Sequence, residues 1–167
     1  ELSIDFGLSA ASLGSLSALY FYSYVLMQIP TGLLADRFGP RRLLIAGLVL
    51  STLGAVIFAL APSFFWAGVG RFLIGGFVAV GFVYTLKLAT HWLPPERFSL
   101  AAGLLLVAGM TGAVFAGVPL YVAREAFGWR IVTLVVSAVG LALAAVVWLI
   151  VRDDPTDRGY SGYVKVS

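Results

Sequence analysis

Gly32-Leu33-Leu34-Ala35-Asp36-Arg37-Phe38-Gly39-Pro40-Arg41-Arg42 is the stretch on which the fold turns. Its charged part holds one acid and three arginines, after 30 uncharged residues (6–35) and before 28 more (43–70). A soluble core does not surround a charged, glycine-punctuated hairpin with apolar runs of that length, whereas a chain folding back on itself across a bilayer does. Pro30 and Gly32 weaken the end of the preceding helix. Asp36 can receive backbone N–H groups or a cation, and Gly39-Pro40 forces the turn.

Composition agrees. Of 167 residues, 60% are hydrophobic and 11% charged, and the mean hydropathy is +0.99, far above the range of soluble domains. Cysteine is absent from the sequence, which excludes disulfides and thiolate metal sites. The net charge of +3 comes from arginines scattered over short loops with no basic-aromatic patch, so nucleic acid is discounted as a partner. The single histidine, His91, sits at a helix end, and no metal-spaced cluster or Ser/His/Asp arrangement is visible. The chain reads as no enzyme, with no cofactor and no metal.

Five apolar runs, 13–34, 43–61, 64–91, 98–121 and 131–151, the third interrupted by Arg71 and Lys87, are each long enough to cross a hydrocarbon core of about 30 Å as a helix. Strand-like alternation is missing, so the fold class is all-α, a polytopic transmembrane helical bundle. The loops after the first, third and fifth runs hold Arg37, Arg41, Arg42, Arg97, Arg152, Arg158 and Lys165, against Arg124 and Arg130 on the other side. The positive-inside rule places the first group in the cytoplasm, in a multi-pass protein of the cell (inner) membrane. Residues 1–12 read as an external loop after a missing first helix, 13–151 as the bundle, and 152–167 as the start of a cytoplasmic linker.

Two features point to solute handling. In the first span Ser17, Tyr20, Tyr24, Gln28 and Thr31 recur every three or four residues and form one polar stripe. Such a stripe turns toward other helices or a wet cavity, since lipid disfavours it. Tyr24 lies about 16 Å from Leu13, near mid-membrane; with Gln28 it is read as facing a cavity, ahead of the alternative of a dry interhelical hydrogen bond. Arg71, in the third span, has no acid within the five spans to pair with. Its partner is a carboxylate elsewhere, a carbonyl or an anionic solute, unless it snorkels the roughly 10 Å back past Phe64. Lys87 is read as snorkelling to the opposite surface. Gly75, Gly76 and Gly81 in the third span, and Gly109, Ala113 and Gly117 in the fourth, offer small faces for close helix packing.

The pattern Gly32-x-Leu34-Ala35-Asp36-Arg37-x-Gly39-x-Arg41-Arg42 resembles the signature loop between helices two and three of the major facilitator superfamily. Arg71-x-x-x-Gly75 is similar to that family's fourth-helix motif, and Phe127-Gly128-Trp129-Arg130 to its lead into the sixth helix. The resemblance implies that the five spans are helices two to six of a twelve-helix transporter working by alternating access, and that the C-terminal helical half is missing. It further implies a small polar solute, with an anion as one option, a coupling proton or ion, and a conformational-switch loop made of Gly32, Asp36, Arg37, Gly39, Arg41 and Arg42. Arg71, Tyr20, Tyr24 and Gln28 would line the solute path, with Gly75, Gly109, Ala113 and Gly117 packing the moving helices. Pro40 departs from the family pattern, which often has a basic residue there. In the fourth span Gly117-Val118-Pro119-Leu120-Tyr121 stands where drug/proton antiporters usually carry a Gly-Pro-x-x-Gly-Gly type motif, which weakens the antiporter alternative. Trp92-Leu93-Pro94-Pro95-Glu96-Arg97 and Arg152-Asp153-Asp154-Pro155 look closer to permeases for organic anions and sugar phosphates. A transporter-like membrane sensor without net flux is the other alternative.

Overall fold

Apolar runs that must satisfy their own backbone groups form helices, and the computed structural model contains six, with no strand among the described residues. It describes residues 9–160, apart from the side chains at 10, 35, 36, 157 and 158. The helices are α1 (Ala10–Phe38), α2 (Pro40–Ala59), α3 (Phe64–Trp92), α4 (Pro95–Ala116), α5 (Val118–Phe127) and α6 (Trp129–Ile150), followed by a 3-10 turn over Pro155–Arg158. Pro40–Ala59, Phe64–Trp92, Pro95–Phe127 and Trp129–Ile150 are long and apolar enough to cross a membrane. Helix α1 matches them in length at 29 residues and is more polar, because it carries the serine, tyrosine and glutamine stripe.

The structure shortens the expected hairpin to a single residue. Pro30 and Gly32 do not end α1, which runs on to Phe38, and α2 starts at Pro40. Pro30 deprives the Leu26 carbonyl of its helical donor, yet tertiary packing holds the helix through that defect. The whole reversal falls on Gly39 (φ 80°, ψ 145°), in a region only glycine enters without strain. Pro40 then supplies a first-turn residue whose missing N–H costs the helix nothing. Gly128 repeats this solution between α5 and α6, with φ 81° and ψ 150°. Both turns are spelled Phe-Gly-x-Arg, at 38–41 and 127–130.

The fourth expected span is broken rather than continuous. At Gly117 the N–H is shared between the Ala113 and Val114 carbonyls at 3.2 and 3.1 Å, and Pro119 cannot donate to the ladder. From Pro95 to Phe127, with Gly117 between α4 and α5, the stretch counts 33 residues, about 50 Å of helix, more than a hydrocarbon core of about 30 Å requires. The shorter piece therefore carries Tyr121, Arg124 and Glu125 toward one end of the bundle.

Helix α3 is the hub: α2 packs along it, α1 packs along its neighbouring face, and α6 lies against the far side of α2. Contact between α2 and α3 is almost backbone to backbone. A Cβ on Gly70 would lie 2.7 Å from the Gly54 carbonyl oxygen and 2.7 Å from the Phe58 nitrogen, and one on Gly54 would lie 2.9 Å from the Gly70 carbonyl. Two apolar clusters close the ends, one of Leu16, Phe58, Ala61, Ala67 and Trp129, the other of Leu44, Val80, Tyr84 and Leu88. Neither α4 nor α5 has a buried residue, and α4 shows Leu104, Val107, Met110, Val114 and Phe115 on its surface.

Because the Gly54–Gly70 seam has no room for a methyl group, Gly70→Ala should destabilise purified full-length protein by about 1–3 kcal/mol, the usual range for overpacking. Gly14→Ala, at a site with nothing within 4 Å, should leave the thermal midpoint unchanged or slightly raised. Equal midpoints for the two variants would show that the seam tolerates expansion.

Candidate functional site

The Arg71 site is built where three helices meet. Gly75 follows Arg71 by one helical turn, and it lets α1 approach so closely that a Cβ there would collide with the Tyr20 carbonyl oxygen and the Ser23 hydroxyl. The Arg-x-x-x-Gly spacing thus has a mechanical reason: the glycine draws α1 in, and the residue drawn in beside Arg71 is Tyr20. The Tyr20 hydroxyl and the guanidinium lie within electrostatic reach of each other, and the Tyr20 and Tyr24 rings stack at 6.3 Å with 23° between their planes.

From α2, Phe58 completes the site. The Arg71 guanidinium carbon lies 4.7 Å from the Phe58 ring centroid, and that ring leans on Trp129 of α6 at 5.3 Å. A partly desolvated cation–π contact of this kind contributes about 0.5–2 kcal/mol. It supplies no hydrogen-bond acceptor, however. Arg71 Nε is buried without a hydrogen-bond partner among the described residues, a state that costs about 1–3 kcal/mol for a buried donor. The arrangement presents a positive fork, held by aromatic rings on one side, with donor capacity unspent.

The polar stripe of α1 is divided by packing. At 100° per residue its five members span an arc of about 80°, and burial changes steeply across it. Thr31 is fully buried, Tyr20 and Tyr24 half-buried, and Ser17 and Gln28 exposed. On the buried side Ser23 bonds to the Tyr20 carbonyl at 2.9 Å, Thr31 bonds to the Met27 carbonyl, and the buried Tyr84 hydroxyl donates to the Thr31 carbonyl at 3.1 Å. Thr31 belongs to this dry seam with α3. Arg71, Tyr20 and Tyr24 are brought together, whereas Gln28 lies further along the open side of α1.

Phe58, Ser23 and Tyr84 carry this geometry without a recognisable signal in the sequence, since an aromatic or serine in an apolar run is ordinary core. Gly109 and Ala113 lie on the exposed side of α4, and nothing approaches a Cβ built at Gly109 within 4 Å. Gly117 sits at the α4–α5 break, 3.2 Å from the Val114 carbonyl by the same measure.

The arginine-rich end forms a second cluster. Asp36 lies in the last turns of α1, with its side chain outside the described residues. Gly32 is exposed with nothing near it; Arg37 stacks over the exposed Phe38 ring at 5.6 Å, and Arg42 is exposed. Arg41 is committed inward. Its guanidinium donates to the Trp148 carbonyl at 2.6 Å, and its backbone N–H donates to the Asp153 carboxylate at 2.7 Å, 112 positions along the chain. Close by, His91 Nδ1 lies 3.2 Å from the Asp153 carbonyl and Trp92 Nε1 donates to the Arg152 carbonyl at 3.0 Å. The sequence signal for Asp153 is an acid two residues past the last apolar span, after Arg152.

These membrane-length helices, with a half-buried guanidinium between them and a charged clasp at one end, define a polytopic helical membrane protein. The chain belongs to the major facilitator superfamily, whose family model matches residues 1–165. It is 31% identical over 86% of its length to an uncharacterized transporter, YybO, of Bacillus subtilis, covering 33% of that protein. It is 30% identical over 90% of its length to the probable sulfoacetate transporter SauU of Cupriavidus necator, covering 35%. A third relative, the probable galactarate/D-glucarate transporter GarP of Escherichia coli, is 28% identical over 95% of the chain and 37% of its own length. The chain thus spans about a third of the curated relatives it matches, and these relatives are transporters, not enzymes.

The division of the α1 stripe is open to direct measurement. In full-length protein in intact membranes, single cysteines at 24 and 28 should react with small aqueous thiol reagents, and one at 31 should not. Equal protection of all three positions in every state would place the whole stripe in a dry interface.

Proposed function

We propose that this chain is part of the N-terminal half of a secondary active transporter that moves a small anionic solute by alternating access, with Arg71 as the solute-binding cation. The buried Nε of Arg71 without a hydrogen-bond partner is the observation that carries the reading. A carboxylate or sulfonate oxygen is the ligand that satisfies such a fork, bidentately and with charge assistance. Phe58 orients the guanidinium from below, Tyr20 adds a hydroxyl beside it, and Tyr24 and Gln28 continue the path along α1. Two relatives are named as probable transporters of sulfoacetate and of galactarate/D-glucarate, anions of this class.

Within the same reading, the Asp36–Arg42 segment faces the cytoplasm of a multi-pass inner-membrane protein. Arg37, Arg41, Arg42, Arg97 and Arg152 lie at one end of the helices, against Arg124 and Arg130 at the other, as the positive-inside rule requires. A proton or ion provides the coupling, and the second helical half supplies the facing wall of the site. The segment biases one of two packings of the halves, the usual role of charged contacts at a bistable interface.

The test is uptake of radiolabelled glucarate and sulfoacetate into vesicles bearing full-length protein. A hydrogen bond to a charged group contributes about 1.5–3 kcal/mol, so Arg71→Ala should raise KM by roughly ten- to a hundredfold. Arg71→Lys should recover only part of the loss, because an ammonium cannot reproduce the planar fork. Unchanged KM in Arg71→Ala would leave Arg71 a membrane-anchoring residue, and binding without net flux in the wild type would mark a sensor.

A further inference from the structure

The clasp at the arginine-rich end holds a residue that the solute site does not use. Asp153 and Asp154 lie three and four residues past Ile150, the end of α6, and their carboxylates have different tasks. Asp154 is occupied locally: it accepts from the Thr156 N–H at 2.8 Å and the Thr156 hydroxyl at 2.6 Å, bonds that hold its carboxyl below the usual carboxylate range. Asp153 reaches across the bundle instead. Its carboxylate lies over Gly39, where a Cβ would stand 3.3 Å from either oxygen, and accepts from the Arg41 N–H.

That N–H belongs to the first turn of α2, whose opening groups lack helical partners. Gly39, the residue preceding α2, has no side chain to bond them, and no local side-chain cap is present. Asp153 performs the task from the segment just past α6, placing a negative charge at the positive end of α2. The chain around it is held in turn. Trp92 grips the Arg152 carbonyl and His91 the Asp153 carbonyl; since a carbonyl only accepts, the His91 proton sits on Nδ1. The matching turn at Gly128 has the same backbone and nothing within 4 Å of its Cβ position. The cap is therefore a feature of one turn, not of the Phe-Gly-x-Arg geometry.

We propose that Asp153 is a positioning residue of the transport cycle: as the through-space cap of α2 it ties the Gly39 turn to the exit of α6, so that the turn moves with α2, α3 and α6 as one body. Without that cap the first turn of α2 frays, and among the described residues the Gly39 turn keeps only the Arg41 guanidinium on the Trp148 carbonyl as its side-chain tie to α6, so the motion of one half is passed less faithfully to the segment that meets the other. This inference rests on the transport reading for its consequence, but not for its geometry.

The experiment follows amide hydrogen exchange across 39–48 and initial uptake rates of glucarate and sulfoacetate in the same full-length variants. Asp153→Ala removes the acceptor and should speed exchange at Arg41 by about fivefold, the equivalent of a typical lost cap; it should lower kcat while leaving KM near wild type. Asp153→Asn keeps an acceptor oxygen and should restore both, which loss of a charge alone does not allow. Trp92→Phe, which removes only the indole N–H, should speed exchange in the same segment and serves if Asp153→Ala does not fold. Exchange that stays at the wild-type rate in Asp153→Ala and Trp92→Phe, or an Asn variant as impaired as the Ala variant, overturns the cap. If wild-type protein moves neither anion while exchange responds as stated, the solute reading fails and the clasp stands.

Discussion

Everything in this structure depends on how closely two helices can approach a third. Gly70 and Gly54 bring the backbones of α3 and α2 together, and Gly75 admits α1 on the adjacent face. Lipid provides no hydrophobic drive for one helix to leave it for another, so association rests on dispersion and on the few hydrogen bonds that cross the seams. Dispersion is large only where surfaces fit without gaps. Glycine at these crossings provides the fit, and the Tyr84 hydroxyl on the Thr31 carbonyl is one of the bonds that pin the register.

Close approach also makes the site. Arg71 stands between α1 and α2 because the glycines on either side of it, at 70 and 75, pull those helices in. Phe58 and Tyr20 then come within reach of one guanidinium. The aromatic floor holds the cation without neutralising it, which leaves its charge and at least one donor for something else. A carboxylate in Phe58's place would have ended that availability by forming a strong internal pair.

The two ends of the bundle solve the same turn differently. Gly39 and Gly128 share sequence context and backbone angles, yet only Gly39 is covered by a carboxylate, from the segment that follows α6. The clasp of Asp153, Arg41, His91 and Trp92 joins the exit of α6, the start of α2 and the end of α3 through four hydrogen bonds, two of them to Arg41. All four use backbone groups on at least one side. Such bonds fix chain position more than they fix charge, and they suit a structural tie better than a salt bridge that breaks and re-forms.

Much of this was legible from residue order alone. Apolar run length determined an all-α membrane bundle, since the bilayer demands helices of about 20 residues and leaves few other solutions. Gly39-Pro40 located the first reversal, and the Arg71–Gly75 spacing marked the cation. Only the tertiary structure decided the rest. It carried α1 past the expected Leu34 to Phe38, through the weak points at Pro30 and Gly32, because packing on α3 outweighs the cost of one lost bond. It divided the α1 stripe, sending Thr31 into a dry seam and leaving Gln28 exposed, since periodicity assigns a face but not what covers it. And it joined Asp153 to Arg41 across 112 positions, a contact that no local pattern encodes, because it exists only once α2, α3 and α6 lie side by side.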